Sequence, residues 1–171
     1  PPDSETHIAD RPTLNAEFVN SERGVLYEDH DGNLWCGANN SLFRLEEKDK
    51  KVSFQRLDLK LPSNPVVAFA ISGMFEGRDR SLWMVTTWGL VQRWPDGKEV
   101  FYAVDNPRTE ALTGNLSASD GRIWIGSASG VYVIKPESHD ELPAPGVLTV
   151  RDLQKVAEAR TTGDYQGLPE K

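Results

Sequence analysis

The ionisable side chains of this chain are scattered and do not form a pattern typical of catalysis. Its three histidines, His7, His30 and His139, lie in polar stretches without a partner at ligand spacing. His30 stands between Asp29 and Asp31, which fits either a metal contact or a solvated turn, and the polar surroundings favour the turn. A phosphate-binding glycine loop, a nucleophile elbow and a Cys/His cluster are all absent from the sequence. The sequence therefore predicts no catalytic residue, no metal site and no cofactor.

Three aspartates recur at one fixed distance from a tryptophan, four residues before it. The pairs are Asp31 and Trp35, Asp79 and Trp83, and Asp120 and Trp124. Catalysis needs different groups at one point, whereas a repeat places equivalent groups on separate units. The pattern therefore predicts structural roles, in which the aspartates cap turns and the tryptophans pack between units.

The segments around these pairs align without gaps and have the pattern of short strands joined by tight turns. They are DGNLWCGA from residue 31, DRSLWMVT from residue 79 and DGRIWIGS from residue 120. Asp-Gly favours a tight turn because glycine accepts positive φ, and the apolar residues that follow are typical of strands. The tryptophans are 48 and 41 residues apart, a spacing typical of the four-stranded blades of a propeller.

These patterns predict an all-β fold. We expect a partial β-propeller of about three four-stranded antiparallel blades, with extended termini and a short C-terminal helix. The predicted segments are an N-terminal arm at 1–23, repeats at about 24–62, 66–106 and 112–136 plus a later strand, and a linker and tail at 137–171, with a strand at 147–150 and a helix at 151–160. In that helix Leu153, Val156 and Ala157 would share one face.

Charge and composition argue against several classes of partner. The formal net charge is -7 and the densest basic run is 48–51, which argues against nucleic acid and against an acidic membrane surface. No apolar run approaches the roughly 20 residues that span a bilayer, and the first residues lack the pattern of a signal peptide. The single cysteine, Cys36, follows an apolar strand pattern, so we expect a buried small side chain and no reactive thiol.

Two stretches, from Tyr27 to Gly37 and from Ser119 to Gly126, resemble the two-component regulator propeller repeat. The resemblance covers about 24–136 and weakens in the middle copy, where Arg80 replaces the glycine of the turn. In that family the repeats form blades of large extracytoplasmic sensor propellers, usually joined to a membrane-anchored kinase or another signalling output. The resemblance therefore implies a periplasmic or extracytoplasmic location, whereas cysteine usage leaves the cytoplasm open as well.

Two further tryptophans, Trp88 and Trp94, stand where the other copies have polar or aliphatic residues. Both are candidate partner contacts, because tryptophan is enriched at binding hot spots. The alternative is that they fill the core of an irregular blade.

Three functions fit the sequence. The first is a non-enzymatic subunit that docks through its blades and terminal arms on a larger complex, which could be membrane-associated. Three blades do not close a ring of four to eight, and open edges invite other protein subunits or a second copy, which would give six blades. The alternative is part of an extracytoplasmic sensor propeller that binds a small molecule or glycan for two-component signalling. A propeller enzyme is the third hypothesis.

Overall fold

The computed structural model describes residues 24–38, 41–62 and 68–158. This part of the chain holds thirteen strands in three mostly antiparallel sheets, and its helical structure is one 3-10 turn at His139–Glu141. The all-β prediction is confirmed. The predicted arm at 1–23, with His7, and the tail beyond residue 158 lie outside the described residues.

The first sheet follows the chain order, with each strand antiparallel to the next. Its strands are β1 (Gly24–Glu28), β2 (Leu34–Ala38), β3 (Ser41–Lys48) and β4 (Lys51–Leu57). Between β3 and β4 the chain reverses over two residues, Asp49 and Lys50, whose φ angles are 52° and 62°. Positive φ at both positions is the geometry that a two-residue hairpin loop requires.

The second sheet has the same four-stranded meander and one added strand. It contains β5 (Ile71–Glu76), β6 (Leu82–Thr86), β7 (Gly89–Arg93) and β8 (Glu99–Ala103), with β12 (Thr149–Asp152) parallel to β8 at the edge. All residues of β6 are buried, because the other two sheets cover both faces of this one. A strand covered on both faces is expected to be apolar throughout, as Leu-Trp-Met-Val is.

The third sheet takes three strands from the chain in order and its fourth from further along. Its strands are β9 (Leu112–Ser117), β10 (Ile123–Ser127), β11 (Gly130–Ile134) and β13 (Gln154–Glu158). Residues 149–158 thus run along the edge of the second sheet and then along the edge of the third. The segment joins the two sheets.

The predicted helix at 151–160 is wrong for the residues that the structure describes. β12 and β13 occupy this segment, and the predicted strand at 147–150 begins two residues later than expected. A helix of ten residues is marginal alone, whereas the edges of β8 and β11 offer unpaired backbone groups to a strand. Leu153 anchors the crossing: its side chain is buried, and its N–H donates to Ala103 O at 2.9 Å.

Alternation along the strands gives each sheet two distinct faces. Trp35 lies on the face of the first sheet that packs against Leu82 and Met84 of the second. Trp83 lies on the opposite face of the second sheet, which packs against Ile123 and other residues of the third. Both tryptophans therefore face the sheet that follows them in the chain.

Substitutions in 149–158 test the strand assignment against a helix. Leu153→Ala should lower the free energy of unfolding by about 2–3 kcal/mol, because it opens a cavity in the shared core. Val156→Ala, a change at a residue that is 49% exposed, should change it by less than about 0.5 kcal/mol. Urea unfolding measures both. Equal losses would contradict the strand assignment, because a helix would place both side chains on one buried face.

Candidate functional site

The Asp-Trp segments form three equivalent turns, β1–β2, β5–β6 and β9–β10. In each turn, one residue, six positions before the tryptophan, makes two backbone hydrogen bonds. Its N–H donates to the carbonyl oxygen of the residue four positions later, and its own carbonyl oxygen accepts from the N–H of the residue three positions later. The residues are Asp29, Gly77 and Ala118, with N···O distances of 3.0, 2.8 and 2.8 Å for the first bond and 3.0, 3.2 and 3.1 Å for the second. The three turns therefore share one backbone conformation.

The middle turn forms although Arg80 stands where the other two have glycine. Its φ is 64°, against 77° for Gly32 and 85° for Gly121. This left-handed conformation costs roughly 1–2 kcal/mol for a residue with a Cβ. The Arg80 guanidinium lies 3.4 Å from Asp31 and 3.8 Å from Glu76, so it links the first turn to the second.

The aspartates differ in what they cap. Asp79 accepts from the N–H of Ser81 at 3.2 Å, and Asp120 from the N–H of Arg122 at 3.1 Å. In the first turn Asp29, and not the predicted Asp31, accepts from the turn amides, including Asn33 N at 2.8 Å. The capping role predicted for Asp31 therefore belongs to Asp29, two residues earlier.

The indole N–H groups distinguish the first two sheets. Trp35 Nε1 donates to Asp29 Oδ2 at 2.8 Å. Burial alone would raise the pKa of Asp29, but this bond and those from Asn33 lower it. Trp83 Nε1 is buried without a hydrogen-bond partner among the described residues, because Gly77 occupies the position equivalent to Asp29.

Two cavities lie between successive sheets, beside these turns. The smaller, between the first and second sheets, has a volume of about 260 Å³. Its three arginines all have side-chain partners: Arg44 donates to the Asn33 amide, Arg93 to Glu99, and Arg80 lies beside Asp31 and Glu76. The larger, between the second and third sheets, has a volume of about 660 Å³. Its walls are formed by the β5–β6 and β9–β10 turns and by residues 135–139. It is the roomier of the two candidate sites.

Trp88 and Trp94 are both buried, so neither is an exposed partner contact. Trp88 packs edge-on against Phe69, with ring centroids 4.8 Å apart, in the core between the first and second sheets. Trp94 lines both cavities and donates from Nε1 to Asp79 Oδ2 at 3.1 Å. The alternative that they fill the core agrees with their burial. Cys36 is also buried, as expected, and burial raises the pKa of its thiol.

His139 has partners that sequence spacing could not reveal. Its ring packs at 5.9 Å from that of Trp94 beside the larger cavity, and Nε2 lies 2.8 Å from Asp96, 43 residues away in sequence. Contacts with Asp96 and then with Asp140 raise the pKa of His139. His30 is exposed, and its backbone N–H donates to Glu76 at 2.7 Å.

A cluster missed by the sequence analysis lies at the β10–β11 turn. Ser129 Oγ is 2.5 Å from the carboxylate of Glu110 and 2.7 Å from Lys155 Nζ. A serine beside a lysine is typical of nucleophilic catalysis only if the lysine is neutral. Here the hydrogen bond to Glu110 raises the pKa of Lys155, so the cluster holds an ion pair that fastens β13.

No group of three or more His, Cys, Asp or Glu side chains in 24–38, 41–62 and 68–158 could hold a metal ion. Within the same residues, no helix is both long and apolar enough to cross a bilayer.

The structure therefore belongs to the class of all-β folds built from meander sheets packed face to face, with cavities between the sheets. No family model and no curated protein matches the chain. Among solved structures, it is similar to the extracellular domain of BT4673 from B. thetaiotaomicron, which is assigned to a hybrid two component system. The TM-score is 0.54 at 20% identity, over 70% of this chain and 15% of that one.

A second structure of the extracellular domain of BT4673, there assigned to a one component system, is similar at a TM-score of 0.49 and 16% identity, over 78% of this chain and 19% of that one. This second match is too weak to carry an argument. The first shows a shared fold alone, and the chain spans less than a fifth of the length of either structure.

The Glu110–Lys155 pair makes stability depend on pH at the acid end. Burial alone would raise the pKa of Glu110, but bonds from Lys155, Ser129 and Ser127 lower it to about 2, below its usual 4.5. The stabilisation is therefore full above pH 4.5 and is lost as the pH falls towards 2. Urea unfolding at pH 6 and pH 3 should show a loss that is on the order of 1 kcal/mol smaller in Glu110→Gln than in the unmodified chain.

The matched control is Glu46→Gln, a change at an exposed carboxylate of β3. It should leave the acid loss of the unmodified chain in place. An undiminished acid loss in Glu110→Gln would show that this ion pair does not fasten β13.

Proposed function

We propose that this chain is a segment of an extracytoplasmic sensor propeller that binds a small molecule or glycan for two-component signalling. The observation that carries the proposal is the position of Trp124. It lies in β10 as Trp35 lies in β2 and Trp83 in β6, on the face of the third sheet away from the second. Trp35 and Trp83 each pack on the next sheet, but within the described residues no sheet packs on Trp124.

The open face has the composition of the two covered ones. Val131 and Val133 lie beside Trp124 on this face and are half-buried. The guanidinium carbon of Arg122 lies over the indole ring, 5.3 Å from its centroid. A face of this kind is buried when another sheet packs on it, as the other two tryptophan faces are. A series of such sheets, each packed on the next, is the arrangement of propeller blades.

The comparison with known structures supports a sensor more than a docking subunit. The matched protein contributes an extracellular domain to a two component system, and this chain resembles only 15% of it. A segment of that size fits a few blades of a larger propeller. By the same resemblance the location would be extracytoplasmic.

Docking on a larger complex is the second candidate. Exposed apolar side chains favour it: Leu26, Leu34, Val147, Val150 and Val156 are 42–71% exposed. The burial of Trp88 and Trp94 counts against it, since these were its predicted hot spots. A neighbouring blade of the same propeller could bury these exposed side chains just as effectively as a different protein could.

Ligand-induced stabilisation tests the sensor role. The purified chain should be screened by thermal unfolding against a library of small metabolites and saccharides, with each hit repeated by calorimetry. A ligand at a hundred times its Kd should add about 2.7 kcal/mol to the free energy of unfolding.

A different outcome would favour docking. If no compound stabilises the chain and light scattering of a native extract gives a mass far above 19.0 kDa with other polypeptides present, the sensor proposal fails. The same extract with a saturable ligand and no foreign polypeptide supports it.

A further inference from the structure

We infer that the larger cavity, between the second and third sheets, binds a small molecule that carries both hydroxyl groups and a carboxylate, such as a sugar acid. The inference rests on the proposed sensor role and names the class of its ligand. Three observations support it: an unpartnered donor in the wall, an unpaired cation among the lining residues, and an acceptor that lacks a cationic partner.

The unpartnered donor is Trp83 Nε1. A buried N–H without an acceptor costs about 1–3 kcal/mol, and the first sheet avoids this cost through Asp29. The equivalent residue in the second sheet is Gly77, which lines the cavity. A Cβ on Gly77 would lie 2.9 Å from Trp83 Nε1 and 2.6 Å from Asp79 Oδ1, so this donor and this acceptor border the same wall.

A hydroxyl group matches that pair. It accepts from the N–H of Trp83 and is neutral, whereas a carboxylate in the same place would be repelled by Asp79. The bonds that Asp79 already accepts come from neutral groups, including Ser81, Gln92 and Trp94. With the second bond from Ser81 they fill its four acceptor positions, but its carboxylate keeps a negative charge without a cationic partner among the described residues.

The positively charged side chains of this cavity favour a ligand that carries a negative charge. Lys135 is exposed, lines the cavity, and has no hydrogen bond or ion pair with any described residue. Arg78 donates to a backbone carbonyl, that of Ser119 at 2.7 Å, and has no carboxylate partner in the part of the chain that the structure describes. The other two carboxylates of the lining are paired, Asp120 with Arg122 and Glu137 with Arg151.

Trp83, Trp94 and Ile123 supply the apolar part of the remaining wall, which also contains Ser117, Ser138 and His139. Apolar walls with a few placed polar groups are typical of small-molecule sites. The cavity volume of about 660 Å³ lies in the range of such sites. In the bound state the hydroxyl would accept from Trp83 Nε1 beside Asp79, and the carboxylate would meet Lys135 and Arg78.

Matched acid and neutral sugars test this assignment. D-glucuronate, D-galacturonate and D-gluconate are titrated into the chain by calorimetry, beside D-glucose, D-galactose and D-sorbitol. At least one acid should bind saturably, and at least fivefold more tightly than its neutral counterpart. In labelled protein the indole N–H resonance of Trp83, identified by its loss in Trp83→Phe, should move on binding.

Two variants localise the site. Lys135→Met should weaken binding of the acid about fivefold and leave thermal unfolding unchanged, because it removes an exposed charge without a partner. The control, Lys51→Met on β4, changes an exposed lysine outside the cavity lining and should leave the affinity within twofold.

Several results would overturn the inference. They are saturable binding by none of the three acids, equal affinity for acid and neutral sugar, and an affinity that Lys135→Met does not change. If another compound of the library binds regardless of Lys135, the sensor role stands and this ligand class fails. If nothing in the library binds, both fail.

Discussion

The indole ring of Trp83 lies between two other aromatic rings on the face of the second sheet that packs on the third. Its centroid is 5.8 Å from that of Phe75 and 5.4 Å from that of Tyr102, and both pairs are stacked. With Ile123 and Ile125 of the third sheet they belong to one core cluster. Exposing this apolar surface to water would destabilise both sheets, so the second and third sheets pack against each other across it. Leu153, where the chain passes from β12 to β13, completes the same core.

The same packing positions the cavities. Trp35 and Trp83 each hold their turn against the next sheet, and the residue six positions earlier decides whether the indole N–H has a hydrogen-bond partner. Asp29 satisfies it in the first sheet; Gly77 does not in the second. This one difference between equivalent turns leaves the indole N–H beside the larger cavity without a partner, which links the fold to the proposed ligand site.

Local signals predicted much of this fold. The Asp-x-x-x-Trp spacing and the Asp-Gly turns located the second strand of each sheet, and alternation predicted the buried Cys36. What failed depends on distant contacts. The helical pattern of 151–160 gave no sign that β8 and β11 have open edges, so β13 was missed and β12 was predicted two residues too early. The alignment predicted Asp31 as the capping residue, whereas Asp29 makes the capping bonds. The folded shape of the turn decides this, and the alignment does not show it. The Glu110–Lys155 pair spans 45 residues, beyond any local pattern.

The central claim is that Trp35 and Trp83 each pack on the following sheet, whereas no sheet of the described residues covers the face that holds Trp124. Comparing Trp83→Ala with Trp124→Ala by urea unfolding tests it most directly. Removing Trp83 should lower the free energy of unfolding by about 3–5 kcal/mol, because it empties the core between two sheets. Loss of the half-buried Trp124 should lower it by only about 1 kcal/mol. Equal losses would contradict the claim, because they would mean that the third tryptophan face is already covered.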